Sequence, residues 1–427
     1  MSLTTWYFTN KLNTLGDYLM RISEIIKEEM INGMEVMSLE KFVKVAPKLG
    51  AATDTDLEDI AESLINEAEF GLGAKLADMS QQEIEDYLAR SKKYQKYDPK
   101  DKSVQKEKEA LGASLKKDRF QYPFMHPSNI KIVDENDEII DTDDLKRQLM
   151  ERPKTILKQN AKIKHSSNGK ASLFYNMGLP ALIGLFVDEN TGEFKVAVTC
   201  KSAGICKTYC YARGSNYVRY AAPSMDAARI FNFLMNDPEG FKAQFSSEIS
   251  QKEKTANKKN QELVIRLHTS GDFLSNEYKE LLYDVANDHP HVLFYAYTKE
   301  SSVALDENKP KNFVVNFSQG AIPAEEKKVD LVNIKNSRVV PEDIFADLIK
   351  EPAHPDETVK FTDTDELKNR ISKKYKMPVD SILTYDEYQK AGKKLPTGKK
   401  YNVIVGRNCG DEAAADPRVL STLLLIH

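Results

Sequence analysis

Early in the chain, apolar residues recur at helical spacing. In YLMRISEIIKEEMI, Leu19, Ile22, Ile25, Ile26 and Met30 share one face, and in DLEDIAESLINEAEF so do Leu57, Ile60, Leu64 and Ala68. The spacing predicts a helical N-terminal region over residues 1–120. It closes in a stretch, 91–118, that holds nine lysines, five acids and almost nothing to bury. Such a stretch reads as a solvated helix or linker.

From about Lys162 the period changes. The short runs FKVAVTC, ELVIRLH, HVLFYAYT, NFVVNFS and VDLVNI predict strands. Between the first two, SMDAARIFNFLM and DPEGFKAQFSSEI predict consecutive helices, the second starting at Asp237–Pro238 with Phe241, Phe245 and Ile249 on its face. A further helix, SNEYKELLYDVAND, presents Tyr278, Leu281, Leu282 and Val285. The strand runs are nearly continuous in apolar character, the pattern of strands buried on both faces. The expected fold class is α/β, a mainly parallel sheet that is either open or curled into a partial (β/α) barrel, in a domain over 121–427. Within it, 340–400 is charged and proline-punctuated and reads as an insertion, and YNVIVG reads as a last strand.

Composition narrows the picture only a little. Hydrophobic residues make up 41% and charged ones 30%, enough for a real core. The 61 basic and 65 acidic side chains leave a formal charge of −4, which gives no global support for nucleic-acid binding, and the partner stays open. The lysine-rich stretch is more simply a solvated face than a nucleic-acid arm. No apolar run is long enough to span a membrane, and MSLTTWYFTNKLN lacks the layout of a signal peptide. The expectation is a cytoplasmic protein, where thiols stay reduced.

That makes the cysteines informative. Three of the four lie in TCKSAGICKTYCYARG, as Cys200, Cys206 and Cys210 with spacing C-x5-C-x3-C. Small residues at Ser202, Ala203 and Gly204 let the loop turn tightly. Three converging thiolates suit three irons of a [4Fe–4S] cluster, with one iron left open, or a zinc ion. Reduced cysteines packing a core are the alternative, and metal binding is the favoured reading. Cys409, in VIVGRNCGDE, follows a predicted strand and is a candidate fourth ligand.

A second constellation lies where predicted strands end. RLHTSGDF closes in His268, Thr269, Ser270, Gly271 and Asp272; Tyr297, Thr298 and Lys299 follow the third strand, and Asn316, Ser318 and Gln319 end the fourth. In parallel α/β folds such exits share one face, where ligands bind. The cysteine loop is expected to leave its strand at that face. Taken singly, His268 is a core histidine and Asp272 a helix cap; the repetition points to a site.

The blocks CKSAGICKTYCYARG, RLHTSGDFLSNEY, FYAYTKES and CGDE resemble the phage "gene product 88" family, over roughly 170–427. The resemblance implies a phage-type protein acting in host cytoplasm and leaves its activity open. The same blocks are more distantly similar to radical S-adenosylmethionine enzymes, which have a cysteine loop with an aromatic residue before the third cysteine, here Tyr209. That likeness implies S-adenosylmethionine at the open iron, with Ser270, Gly271 and Asp272 in place of a Gly-Gly-Glu-like turn that binds its amino group. His268, Lys299 and Asn316 then touch the substrate, by position alone. The departures are C-x5-C-x3-C for the usual C-x3-C-x2-C, and Asp for Glu. A fourth ligand at Cys409 would close the cluster and leave it structural or electron-carrying. Two classes follow: a radical enzyme, or a non-catalytic binding protein clasped by zinc or a closed cluster.

Overall fold

The computed structural model describes residues 29–39, 41, 143–160, 163–164, 171–204, 206, 210, 212, 221–350, 360–391, 402–406 and 410–425. Its strands in chain order are β1 (Glu29–Ile31), β2 (Met34–Ser38), β3 (Ser172–Asn176), β4 (Ile183–Val187), β5 (Phe194–Val198), β6 (Glu262–Leu267) and β7 (Leu293–Thr298). There follow β8 (Phe313–Ser318), β9 (Asn336–Val340), β10 (Ile349–Lys350), β11 (Lys360–Phe361), β12 (Ile382–Thr384), β13 (Val403–Gly406) and β14 (Ser421–Leu425). The helices are α1 (Asp143–Met150), α2 (Ala221–Asn236), α3 (Pro238–Lys258), α4 (Asn276–Asp288), α5 (Ser301–Ala304), α6 (Pro323–Glu326), α7 (Thr364–Tyr375), α8 (Tyr385–Lys390) and α9 (Gly410–Ala415). None is long and apolar enough to cross a membrane, among the described residues.

The described residues fall into two compact units. The first draws on Met1–Lys154, Gly178–Phe241 and Ser270–Tyr278. Its sheet has four antiparallel strands in the order β1-β2-β5-β4. Helix α2 covers β4: Val187 donates its amide to Asn232 Oδ1 at 2.8 Å, and Asn236 Nδ2 donates to Val187 O at 2.8 Å. Those two asparagines satisfy backbone groups that an edge strand otherwise leaves open. At Gly184 a Cβ would stand 2.4 Å from the Phe231 ring, so only glycine lets helix and strand approach this closely. Leu149, Ile183, Leu185, Val187, Val196 and Ala203 belong to the core of this unit.

This sheet corrects the reading of FKVAVTC. The run forms β5, but in an antiparallel sheet, because the six-residue link from Asp188 to Glu193 is too short for a parallel crossover. Gly192, with φ +70°, turns that link, and its amide donates to Asp188 O at 2.7 Å. The helical spacing running to Met30 is corrected at its end, where Glu29–Ile31 form β1; residues 18–28 lie outside the described residues. Asn32 and Gly33, with φ +49° and +72°, close a β1–β2 hairpin, the commonest use of an Asn-Gly pair. The helix expected over Leu57–Ala68 and the lysine-rich stretch lie outside the described residues.

One ion pair in the hairpin supplies a test. Lys195 Nζ and Asp188 Oδ2 are 2.9 Å apart, with side chains only 8% and 7% exposed. Burial alone would raise the Asp188 carboxyl; bonds from Lys195 and the Asn190 amide outweigh it and hold its pKa below the usual value. A lowered carboxylate contributes stability that is present above its unfolded pKa and lost as pH falls through the folded one. Asp188→Asn should therefore cost about 1.5 kcal/mol at neutral pH. It should also flatten the acid limb of a plot of Tm against pH; an unchanged acid limb would remove this role.

The second unit draws on Thr155–Met177, Lys242–Thr269 and Lys279–His427. Its sheet is open and wholly parallel, eight strands in the order β12-β13-β14-β9-β8-β7-β6-β3. The α/β class with an open parallel sheet is thus observed, without barrel closure. ELVIRLH, HVLFYAYT, NFVVNFS and YNVIVG all supply strands of it. VDLVNI does not. There Asp330 Oδ1 accepts from the Val332 amide at 2.9 Å, and Asp330 O accepts from Asn333 and Ile334, which winds the chain into a turn before β9 starts at Asn336. The charged stretch 340–400 contributes α7 and the edge strand β12. β14 joins the sheet between β13 and β9.

Candidate functional site

In the first unit, β5 delivers Cys200 to a loop that is held from two sides. The Thr199 amide donates to Leu182 O at 2.8 Å and its hydroxyl to Pro180 O at 2.7 Å. The Cys200 sulfur accepts from the Leu182 amide at 3.3 Å. After it the chain turns at once, the Ala203 amide donating to Cys200 O at 3.2 Å, with Ser202 and Ala203 buried. The small residues thus do the job their size predicts. Cys200 and Cys206 both pack against the core that contains Ala203.

Cys200, Cys206 and Cys210 are thiols outside any disulfide, each half-buried. The Cys200 pKa is pushed well above the usual thiol value, first by burial and then by the charges of Asp272, Cys210 and Cys206, while the Leu182 amide acts the other way. Two further thiols and one carboxylate thus lie within electrostatic reach of Cys200. Among the described residues, no three His, Cys, Asp or Glu side chains stand in ligating geometry. Cys409 and Tyr209 lie outside the described residues.

Asp272 comes from the Ser270–Gly271–Asp272 turn. Its amide donates to Thr199 O at 3.0 Å, and its Oδ1 accepts from the Phe273 amide at 2.8 Å. Ser270 Oγ donates to Leu179 O at 2.6 Å, and the Leu179 amide donates to Ser270 O at 2.9 Å. Gly271 has φ +80° and sits so close that a Cβ would be 2.8 Å from Leu179 Cβ and 3.1 Å from Pro180 O. Asp272 also raises the Tyr278 hydroxyl pKa, after burial, the larger cause. The structure thus brings together Cys200, Cys206, Cys210, Ser270, Gly271 and Asp272 in one unit.

The other candidates belong to the second unit. His268 follows β6 with φ +55°, is 3% exposed, and has its pKa pulled down to about 3 by burial, so its ring is neutral at ordinary pH. Asn176, at the end of β3, donates from Nδ2 to Thr269 Oγ1 at 2.8 Å. Lys299 Nζ donates to Ser318 Oγ at 3.1 Å, a link between the ends of β7 and β8. Asn316 is fully buried, and its Nδ2 donates to Ala296 O at 3.2 Å and Ala414 O at 3.1 Å, which fastens α9 to the sheet.

Two groups of residues escaped the sequence reading. Leu179, Pro180 and Leu182 act through backbone atoms, and no side-chain pattern advertises that. The acidic residues of CGDE were visible as a motif, but their work is internal. Asp411 accepts from Tyr295 Oη at 2.6 Å and Arg266 Nη1 at 3.1 Å, and Glu412 Oε2 accepts from Tyr385 Oη at 3.1 Å.

Compared with known proteins, residues 154–410 match the family model described as Gene product 88. No curated protein and no solved structure matches the chain.

Proposed function

This chain belongs to the Gene product 88 family, and from that premise we propose that it is an iron–sulfur enzyme of radical S-adenosylmethionine type. In this reading Cys200, Cys206 and Cys210 hold a [4Fe–4S] cluster, and the Ser270–Asp272 turn receives the amino group of S-adenosylmethionine. One observation carries it. The turn bearing Asp272 is bonded to Thr199, the residue beside Cys200, and the ionisable groups acting on that thiol are Asp272, Cys210 and Cys206. All are anionic when ionised, and such a set suits a cation held by soft sulfur ligands.

The donor set fits the group in kind: three thiolates for three irons, with a fourth iron left for a ligand. When bound and reduced, such a cluster supplies the electron that cleaves a carbon–sulfur bond of S-adenosylmethionine. The chain's own part is positioning. Asp272, 5% exposed, offers its carboxylate to an ammonium in a poorly hydrated place, where a charge-assisted hydrogen bond is strong. Gly271 keeps that turn against Leu179. The hydrophobic packing beneath Cys200 and Cys206 limits water at the sulfurs.

Anaerobic purification with iron and sulfide assays tests this. The expected result is a brown protein with about four irons and about four sulfides per chain. Cys206→Ala should abolish it and Cys409→Ala should leave it intact. Asp272→Asn should then weaken S-adenosylmethionine binding while the cluster stays. A colourless protein with one zinc would overturn the reading and leave a zinc-clasped binding protein. A cluster that never cleaves S-adenosylmethionine after reduction would remove the radical chemistry alone.

A further inference from the structure

Leu182 is a buried leucine with φ +64°, a conformation that side-chain-bearing residues avoid. The Ile183 amide donates to Ala181 O at 2.7 Å, so a three-residue turn closes over it. With positive φ at the centre this is the rare, strained form of that turn. What the inversion delivers is direction. The Leu182 N–H is aimed at the Cys200 sulfur, 3.3 Å away, and its C=O at the Thr199 amide, 2.8 Å away.

The neighbouring residues continue the pattern. Pro180 O takes the Thr199 hydroxyl, and Leu179 exchanges two hydrogen bonds with Ser270. A single strap, Leu179 to Leu182, thus fastens the cysteine loop on one side and the Asp272 turn on the other. Strained residues of this kind cluster at functional sites, and here the inverted residue contacts the Cys200 sulfur.

We propose that Leu182 is a positioning residue of the thiolate centre, its amide held in an inverted turn so as to donate a hydrogen bond to the sulfur of Cys200. This rests on the reading that the three cysteines ligate a metal. An N–H donor on a ligating sulfur draws off negative charge, steadies the metal-bound thiolate and raises the reduction potential of a cluster. No other residue type is demanded at 182 by this role; only the backbone direction is.

Leu182→Gly and Leu182→Val separate direction from packing. Glycine loses the whole side chain but takes positive φ freely. Valine keeps most of the apolar volume, and its β-branch resists positive φ and swings the amide away. The full chain is reconstituted with iron and sulfide, and metal retention against a chelator and the midpoint potential are read. Leu182→Gly should stay near wild type in both, while Leu182→Val should lose metal about tenfold faster, with a more negative potential. The reverse order, or equal behaviour, overturns the proposal and leaves the metal centre standing. Should Leu182→Val not fold, the α-hydroxy analogue of leucine at 182, an ester without the N–H, takes its place with the same expected loss. A wild-type chain that binds neither iron nor zinc overturns this proposal together with the metal centre.

Discussion

Asp411→Ala should destabilise the chain by about 3–5 kcal/mol, the usual cost of removing one partner from a buried charge pair. The carboxylate is 1% exposed and accepts from both the Tyr295 hydroxyl and the Arg266 guanidinium. Arg266 is itself only 13% exposed and lies over the Tyr297 ring, 5.2 Å from its centroid. Without Asp411 it would keep a positive charge in a place that water hardly reaches. Burial first, and then the negative charge of Asp411, raise the Tyr295 hydroxyl pKa well above its usual value, so it remains a donor. The same acid begins α9, whose Ala413, Ala414 and Ala415 are buried. Denaturant unfolding should place Asp411→Asn between wild type and Asp411→Ala, because an amide still accepts one bond. A loss under about 1 kcal/mol for Asp411→Ala would mean that the network is dispensable.

This result bears on what the sequence motifs mean. CGDE stands out as chemistry when read as letters, yet in the fold its Asp411 pins a short helix to β6 and β7. Polar residues on the ends of parallel strands have the same ambiguity. Asn316, expected to touch a substrate, donates its side-chain amide to Ala296 O and Ala414 O, while Lys299 bridges β7 and β8. Sequence alone cannot separate these cases, because a buried network and a binding site draw on the same residue types.

The elements that were legible are those with one decisive face. Phe241, Phe245 and Ile249 recur at helical spacing and are all fully buried on α3. The strands β6, β7 and β8 announced themselves by continuous apolar character, and a sheet covered on both faces requires that. FKVAVTC carried the same signature without the same sheet. Its burial in β5 comes from α2 and the core around Leu185, and the decisive clue was the short DENTGE link to a strand that went unnoticed. MINGMEV was masked by the helical spacing that runs into it. VDLVNI failed because Asp330 prefers to bond its own following amides. The cysteine loop and HTSGD were visible as motifs. The strap between them was not, since Leu179, Pro180 and Leu182 contribute only amides and carbonyls.

The second large effect is expected at Gly271, which joins stability to the site. Gly271→Ala places a side chain at φ +80°, costing about 1–2 kcal/mol for the left-handed backbone alone. The added Cβ would also stand 2.8 Å from Leu179 Cβ and 3.1 Å from Pro180 O, so the strap has to shift, at about 1–3 kcal/mol more. Gly192→Ala is the matched control, with φ +70° and nothing within 4 Å of its would-be Cβ. It should show the backbone cost only. The difference between the two variants in unfolding free energy isolates the contact with the strap, and equal losses would deny it. Gly271 is flanked by Ser270, bonded to Leu179, and by Asp272, bonded to Thr199. Shifting the strap therefore disturbs the turn that carries the Asp272 carboxylate beside the cysteine loop. On the proposed reading that the cysteines ligate a metal, Gly271→Ala should lose it to a chelator faster than Gly192→Ala does under the same folded conditions. Identical metal retention in the two variants would show that the turn contributes to the fold without contributing to the centre.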